Sequence, residues 1–418
     1  MNGWLLSLAL LAPAQQQAAP AQVASALEFQ DGDRVVLIGD AFLERDHDLA
    51  QIETTLTARY PDRAIQFRNL GWTGDTVWGD SRAAFETAKE GFERRAAVVK
   101  ELKPTVLLVA YGMNESFAGP GGLPRFEEGL KAMLASVTTP ETRVVLISPI
   151  VHENLGPPLP DPNAHNKDLV LYRDSLKRLA EERGYGFIDL IQARIGDGTR
   201  PERVVPTRET IEGIHLNPFG YNQAAIFLGG KLAPDRYPLW VVNANLGADG
   251  VKMGDMVGSQ VLSSNRTGQG LSLRLLDHRL PNLPEPAETP DRLKIMDRTL
   301  RVTGLAPGTY TLTIDGREIL RANNADWAKG VQFAVGSEYD QLNALRRAIV
   351  DKNRLLFYRW RPQNETYIFG FRKHEQGNNA ADIPKFDPLV ADKEAEINRL
   401  RVPVAHTYEL TRVEEPSK

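Results

Sequence analysis

The chain has no cysteine among its 418 residues. Disulfides, thiolate nucleophiles and zinc sites built on cysteine are therefore excluded, and thiol content says nothing about compartment. A strong charge of either sign is also missing. The formal net charge of −4 offers no basic surface of the kind a nucleic-acid partner needs. No stretch reaches the ~20 apolar residues of a membrane span. Internal repeats are absent, and low complexity is confined to the N-terminus. What remains is a chain with 42% apolar residues, long enough for two or three domains with a sizeable core.

The first residues suggest an address. Trp4 to Leu11 form a short apolar core, followed by Ala12-Pro13-Ala14 and a Gln/Ala/Pro-rich run to about Ser25. That order of segments looks like a secretory signal peptide, although no Lys or Arg precedes the core. A disordered leader is the alternative reading. Residues 1–25 are thus expected to be a leader, and the protein an exported one, secreted or periplasmic.

From Arg34 to about Leu232 strand and helix patterns alternate. Arg34–Gly39, Ala64–Gly71, Pro104–Gly112, Arg143–Ile150 and Tyr185–Ile191 are short runs rich in Val, Ile and Leu, as in strands covered on both faces. Helical periodicity lies between them, near Asp48–Arg59, Ser81–Leu102, Arg125–Val137 and Asn166–Arg183. A last helix is expected to start near Pro218, since proline suits a first turn. The pattern predicts an α/β fold: a three-layer, flavodoxin-like domain over 30–235 with a parallel five-stranded sheet.

After about Pro238 the texture changes. Thr299–Leu305, Thr309–Ile314 and Arg317–Leu320 read as strands, the last two joined by an Asp315-Gly316 hairpin signal. A small β module is expected over 240–325. Residues 326–418 are expected to form a helical and polar segment packed on the first domain, with a helix near Tyr339–Lys352. Within it, Trp360–Tyr367 and Phe371–Asn379 concentrate amides, carboxylates, guanidinium groups and aromatics. Such a set suits carbohydrate binding or, equally in kind, an interdomain seam of paired Arg and Glu with Trp360 as packing.

Ligands of parallel sheets bind beyond the carboxyl ends of the strands. Four segments fall there or just after: Gly39-Asp40-Ala41, Gly71 to Asp75, Gly112-Met113-Asn114-Glu115 and Ser148 to His152. A fifth, Glu212-Gly213-Ile214-His215-Leu216-Asn217-Pro218, offers a histidine with a carboxylate three residues before it. Each piece alone has a bland reading: Asp40 and Gly74-Asp75 as turn residues, Asn114 as a turn former, His215 as a structural hydrogen-bonder. The order Gly-Asp-X, Gly, Gly-X-Asn, acid-X-X-His over roughly residues 30–232 resembles the SGNH or GDSL hydrolase superfamily, esterases that use no metal or organic cofactor.

The resemblance implies roles residue by residue. His215 matches the base and Glu212 the acid that orients it, one methylene longer than the family's aspartate. Asn114 matches the side-chain oxyanion donor, and Gly74 (or Gly71) the glycine donor. Ala41 stands at the serine position and contributes only its backbone N–H. The chain is similar to a branch of exported bacterial SGNH-like proteins that share its tail and lack the usual serine. A hydroxyl nucleophile needs an adjacent base, and a developing oxyanion needs preorganised donors. Thr73, Thr76, Ser116 and Ser148 near strand ends are candidate substitutes for the hydroxyl, and direct attack by water is a further route. The implied function is recognition, and in one reading hydrolysis, of carboxylic esters such as acylated carbohydrates. The other reading is a non-catalytic carbohydrate-binding or scaffold protein. The implied partner is a small-molecule or glycan ester.

Overall fold

The computed structural model describes residues 27–414 apart from 84–85, 196–207, 288, 290–293, 295, 369 and 376–378. The expected leader over 1–25 and residues 376–378 of the polar tail lie outside the described residues. Among the described residues no helix is long and apolar enough to cross a membrane.

The first domain is built on β1 (Arg34–Gly39), β2 (Gln66–Asn69), β3 (Val106–Ala110), β4 (Arg143–Ile147) and β5 (Gly186–Ile188). All pair in parallel, in the order β2-β1-β3-β4-β5. This is the flavodoxin-like arrangement expected from the alternation. Between and around the strands run α1 (Ala41–Glu44), α2 (Gln51–Arg59), α3 (Ala88–Leu102), α4 (Gly119–Val137), α5 (Asn163–Arg183), α6 (Leu190–Ile195) and α7 (Pro218–Leu232). Val35 and Leu37 face one core layer with Leu56, Tyr221 and Leu228. Val36 and Ile38 face the other with Val99, Phe126 and Leu176. Because β1 is buried on both faces, its sequence is an unbroken apolar run.

Local chemistry sets the ends of the helices. Thr87 and Glu90 form a reciprocal capping box, so α3 begins at Ala88 and not near Ser81. Asn217 accepts from the Gly220 N–H at 2.9 Å and Pro218 occupies the first turn, which starts α7 where expected.

The second layer system holds β6 (Trp240–Gly247), β7 (Gly250–Val257), β8 (Ser259–Thr267), β9 (Gly270–Asp277), β10 (Arg298–Thr303), β11 (Thr309–Ile314) and β12 (Arg317–Asn323), then α8 (Asn324–Lys329) and β13 (Val331–Phe333). Helices α9 (Ser337–Trp360), α10 (Glu365–Ile368) and α11 (Phe386–Leu400) and strand β14 (Ala405–Arg412) follow. The sheets run β13-β10-β6-β7 and β12-β11-β14-β9-β8. They share one apolar core of Trp240, Val242, Leu273, Leu300, Leu312 and Leu410, as a sandwich requires. The strands expected over 240–325 are thus completed by β14, which lies between β9 and β11 although it starts only at Ala405.

Helix α9 joins the two systems and runs to Trp360, beyond the expected Lys352. Near its start Glu338 pairs with the buried Arg298, whose guanidinium also bonds Asp277 at 2.7 Å and lies 4.2 Å from the Trp240 ring. Farther along, Lys352 reaches both oxygens of Glu53 on α2, at 2.6 and 2.8 Å, and the Phe67 carbonyl at 2.9 Å. In the polar tail Arg94 bonds Glu365, Arg359 bonds Asp387 and Trp360 packs against Trp72 and Phe357. Those contacts are a seam of paired charges and packed rings.

Lys352 and its carboxylate partner are both buried, so removing one charge leaves the other unpaired. Lys352→Met is expected to cost about 3–5 kcal/mol, read as a lower urea midpoint. Adding Glu53→Leu to that variant should recover most of the loss.

Candidate active site

At the end of β1 the chain turns sharply into α1. Asp40 caps that turn: its carboxylate accepts from the Phe42 N–H at 3.0 Å. Asp40 is buried, and burial pushes its carboxyl up to about 8, against the opposing Phe42 N–H and with the charges of Glu115 and Asp75 adding to the rise. Ala41 follows as the first residue of the helix, with its side chain buried. Among the described residues no hydrogen bond uses the Ala41 N–H, as expected at a helix start.

The loop after β2 is fastened to β1 by Leu70 N–H to Leu37 O at 2.8 Å and Trp72 N–H to Gly39 O at 3.0 Å. A Cβ on Gly71 would lie 2.3 Å from the Glu44 nitrogen, so this close approach to α1 demands glycine. The Gly71 N–H is already given to the Asn69 side chain at 2.9 Å. That leaves Gly74 as the glycine of this loop whose N–H has no partner among the described residues.

Asp75 anchors the next residues. Its carboxylate is fully buried and accepts from the Arg82 Nε at 2.6 Å and the Tyr111 hydroxyl at 2.7 Å, with Arg95 at 3.9 Å. Its backbone carbonyl accepts from the Asn114 side-chain amide at 2.7 Å. Gly74 and Asn114 are therefore tied together through one residue. Glu115 accepts from the Val77 and Gly112 N–H groups at 2.8 and 2.9 Å, and burial pushes its carboxyl up to about 7.

The histidine loop closes on itself and on the segment after β4. Ile211 N–H bonds His215 O at 2.8 Å, and Glu153 N–H bonds Gly213 O at 2.7 Å. Gly213 has a φ of +91°, and a Cβ there would sit 2.9 Å from the Glu153 carbonyl. That glycine lets acid and base share one tight turn. Glu212 Oε1 contacts His215 Nδ1 directly and accepts from the His215 N–H at 3.1 Å. The longer glutamate arm thus reaches the ring. Because a carboxylate only accepts, Nδ1 carries the proton and Nε2 presents its lone pair. Both side chains are partly open to solvent, at 21% for His215 and 38% for Glu212.

Two further histidines flank this pair. His152 stacks on His165 with centroids 4.7 Å apart, and His165 stacks on Phe117 at 4.2 Å. Burial first, then the nearby His165 and His215, lower His152 to about 4, so it is neutral at physiological pH. On the opposite side the Tyr221 hydroxyl of α7 donates to the Phe42 carbonyl at 2.8 Å, linking the histidine-bearing segment to α1. The sequence placed His152 near a strand end, but no local signal marked His165 or Phe117.

The four candidate hydroxyls are otherwise engaged. Glu44 accepts from both the backbone and the hydroxyl of Thr73, and Thr76 donates to Asp80. Ser148 donates to Pro149 O at 2.9 Å while accepting from Leu190 N–H at 2.8 Å. Ser116 donates to Met113 O at 2.6 Å and so accepts from His165 Nε2 at 3.1 Å. Among the described residues none is hydrogen-bonded to His215, and no cluster of three or more His, Asp or Glu is arranged to hold a metal ion.

Residues 29–223 match the model of the GDSL-like Lipase/Acylhydrolase family. Among solved structures, a gut microbial diltiazem-metabolizing enzyme is similar over 93% of this chain and 100% of its own, with a TM-score of 0.72 at 16% identity. That likeness is one of fold, and it spans both the α/β domain and the sandwich. An acetylxylan esterase from Geobacillus stearothermophilus, solved as a catalytic mutant, covers 49% of this chain and 96% of its own, with a TM-score of 0.39 at 18% identity. A GDSL-like lipase from Bacteroides thetaiotaomicron covers 49% and 89%, with a TM-score of 0.35 at 16% identity. No curated protein matches the sequence.

Asp40 yields a pH test. Its raised carboxyl keeps a proton that the unfolded chain releases near pH ~4. The stability it contributes is complete below that value and is lost as pH rises through about 8. Asp40→Asn keeps an acceptor for the Phe42 N–H without the charge. At pH 9 the variant should exceed wild type by about 1–3 kcal/mol, and at pH 4 the two should converge, measured as Tm against pH.

Proposed function

Residues 29–223 belong to the GDSL-like lipase/acylhydrolase family within the SGNH hydrolase superfamily, and from that premise we propose that the strand-end site binds and hydrolyses carboxylic esters such as acylated carbohydrates with water in place of the serine. The observations that support this reading are the His215–Glu212 pair and, among the described residues, the absence of a hydrogen-bond partner at His215 Nε2 and at the Ala41 and Gly74 N–H groups. Family membership supports an ester hydrolase-like activity; the use of water is the finer claim.

In this reading His215 Nε2 takes a proton from a bound water, and the water oxygen bonds to the ester carbonyl carbon. Glu212 holds the ring in its tautomer and stabilises the imidazolium. The resulting oxyanion meets the Ala41 N–H, the Gly74 N–H and the second hydrogen of the Asn114 amide. Collapse of the tetrahedral species breaks the bond to the alcohol oxygen, which takes the proton back from the imidazolium. The products are a free acid and an alcohol. Without a covalent intermediate the expected acceleration is modest, about 10³–10⁴-fold over water, the residue that survives loss of a serine nucleophile. An exported setting, read from the leader, fits an acylated glycan as the substrate.

One observation favours a second reading, a non-catalytic binder. Ala41 is buried, and among the described residues the four candidate hydroxyls of Thr73, Thr76, Ser116 and Ser148 are bonded to groups other than His215.

Turnover of an acetylated glycoside separates the readings. His215→Ala is expected to reduce the rate at least about 100-fold, whereas equal rates for wild type and variant would leave only the binder. Ala41→Ser should raise turnover of simple esters, because it restores the hydroxyl at the position that matches the family's serine. No increase in a folded variant would show that the geometry is not that of an esterase.

A further inference from the structure

Beside the histidine loop lies a cluster of three rings that the proposed chemistry does not use. Phe117 and His152 both stack on His165, with planes 22° and 27° apart, and their own centroids lie 5.9 Å from each other. Phe117 is 62% exposed. Its outer face is therefore open to a ligand. The ring is held from behind: His165 is fixed by its bond to the buried Ser116 hydroxyl, so the platform is already ordered.

Two features tell what kind of ligand fits. His152 directly precedes Glu153, whose N–H bonds the Gly213 carbonyl of the histidine loop at 2.7 Å, so the ring cluster flanks the His215 turn. Asp168, on the same helix as His165, acts electrostatically on that ring and has an oxygen 3.9 Å from the Cβ position of Gly119. Among the described residues no hydrogen bond or ion pair engages that carboxylate. A flat apolar face beside a free acceptor matches a ring that has C–H bonds on one face and hydroxyl donors on its edge. Plain aryl groups satisfy the first feature and not the second.

We propose that Phe117, backed by His165 and His152, together with Asp168 forms the subsite for the sugar ring of the ester's alcohol part. The proposal rests on the ester-binding reading of the site. The phenyl face packs on the pyranose C–H face, and Asp168 accepts from ring hydroxyls or bridging water. That contact places an acyl group on a neighbouring ring oxygen next to His215.

The test uses the full chain and three probes: a monoacetylated methyl xylopyranoside, phenyl acetate and ethyl acetate. Binding by calorimetry is read with the His215→Ala protein, so that turnover does not interfere. The glycoside is expected to bind at least about tenfold more tightly than either simple ester. Phe117→Ala, and separately Asp168→Asn, should each remove most of that preference, while Phe117→Tyr should restore it. The proposal is overturned if phenyl acetate binds as well as the glycoside, or if both variants bind the glycoside like their parent. Failure of the catalytic reading looks different. A Phe117-dependent glycoside affinity with no His215-dependent turnover leaves the sugar subsite standing and removes only the hydrolysis.

Discussion

Everything at the strand-end site hangs on how Asp75 is held. A carboxylate with no solvent exposure is costly to bury unless paired and hydrogen-bonded, and this one is bonded by the Arg82 guanidinium and the Tyr111 hydroxyl. Arg82 at the same time bonds the Leu70 carbonyl, so the start and end of the loop are drawn to one cation. With the side chain fixed, the Asp75 carbonyl is fixed, and it receives the Asn114 amide. One buried ionic centre thereby sets the relative positions of Gly74 and Asn114, which come from different strands. Under the proposed chemistry these two groups are oxyanion donors, which act only when preorganised, and the Asp75 centre would supply that order before any ligand arrives.

The same loop is held from outside by the C-terminal segment. Arg361, just past α9, lies 3.5 Å from the Trp72 ring centroid and bonds Glu44 at 2.6 Å. Burial raises the Glu44 carboxyl, but the Thr73 donors and Arg361 outweigh that and hold it below its usual range. The helix that delivers Arg361 is anchored by Glu338 to the sandwich and by Lys352 to α2. The polar stretch around Trp360 thus reads in three dimensions as the fastening of the glycine loop.

How far the sequence revealed this depends on the distance over which each signal acts. β1 was legible residue for residue because both its faces are buried, which leaves an uninterrupted apolar run. β2 is shorter than its pattern, since Gly71 leaves the ladder to pack against α1. The start of α4 at Gly119 was hidden by Gly-Pro-Gly-Gly, which reads as a turn although proline suits a first helical turn. At the candidate site, Ala41, Gly74 and Asn114 stood out because each sits in a short motif after a strand end, and Glu212 and His215 because an acid precedes a histidine by three residues. Arg361, His165 and Phe117 carry no such local mark; they matter through partners that are remote or on another element. β14 did leave a trace, the alternation of buried His406, Tyr408 and Leu410 with half-buried residues, but its sheet partners are 90 to 140 residues earlier.

That strand has a consequence for how the molecule comes into being. β14 fills the middle of its sheet, yet it is the latest of that sheet's strands to be synthesised. While the ribosome is still adding residues before 405, β9 and β11 face each other across an empty lane with unpaired amides on both sides. The hairpins of the sandwich must therefore wait, open-edged and prone to accept a strand from another nascent chain, until their own one emerges. The α/β domain, whose five strands lie within the first half, is free of that delay.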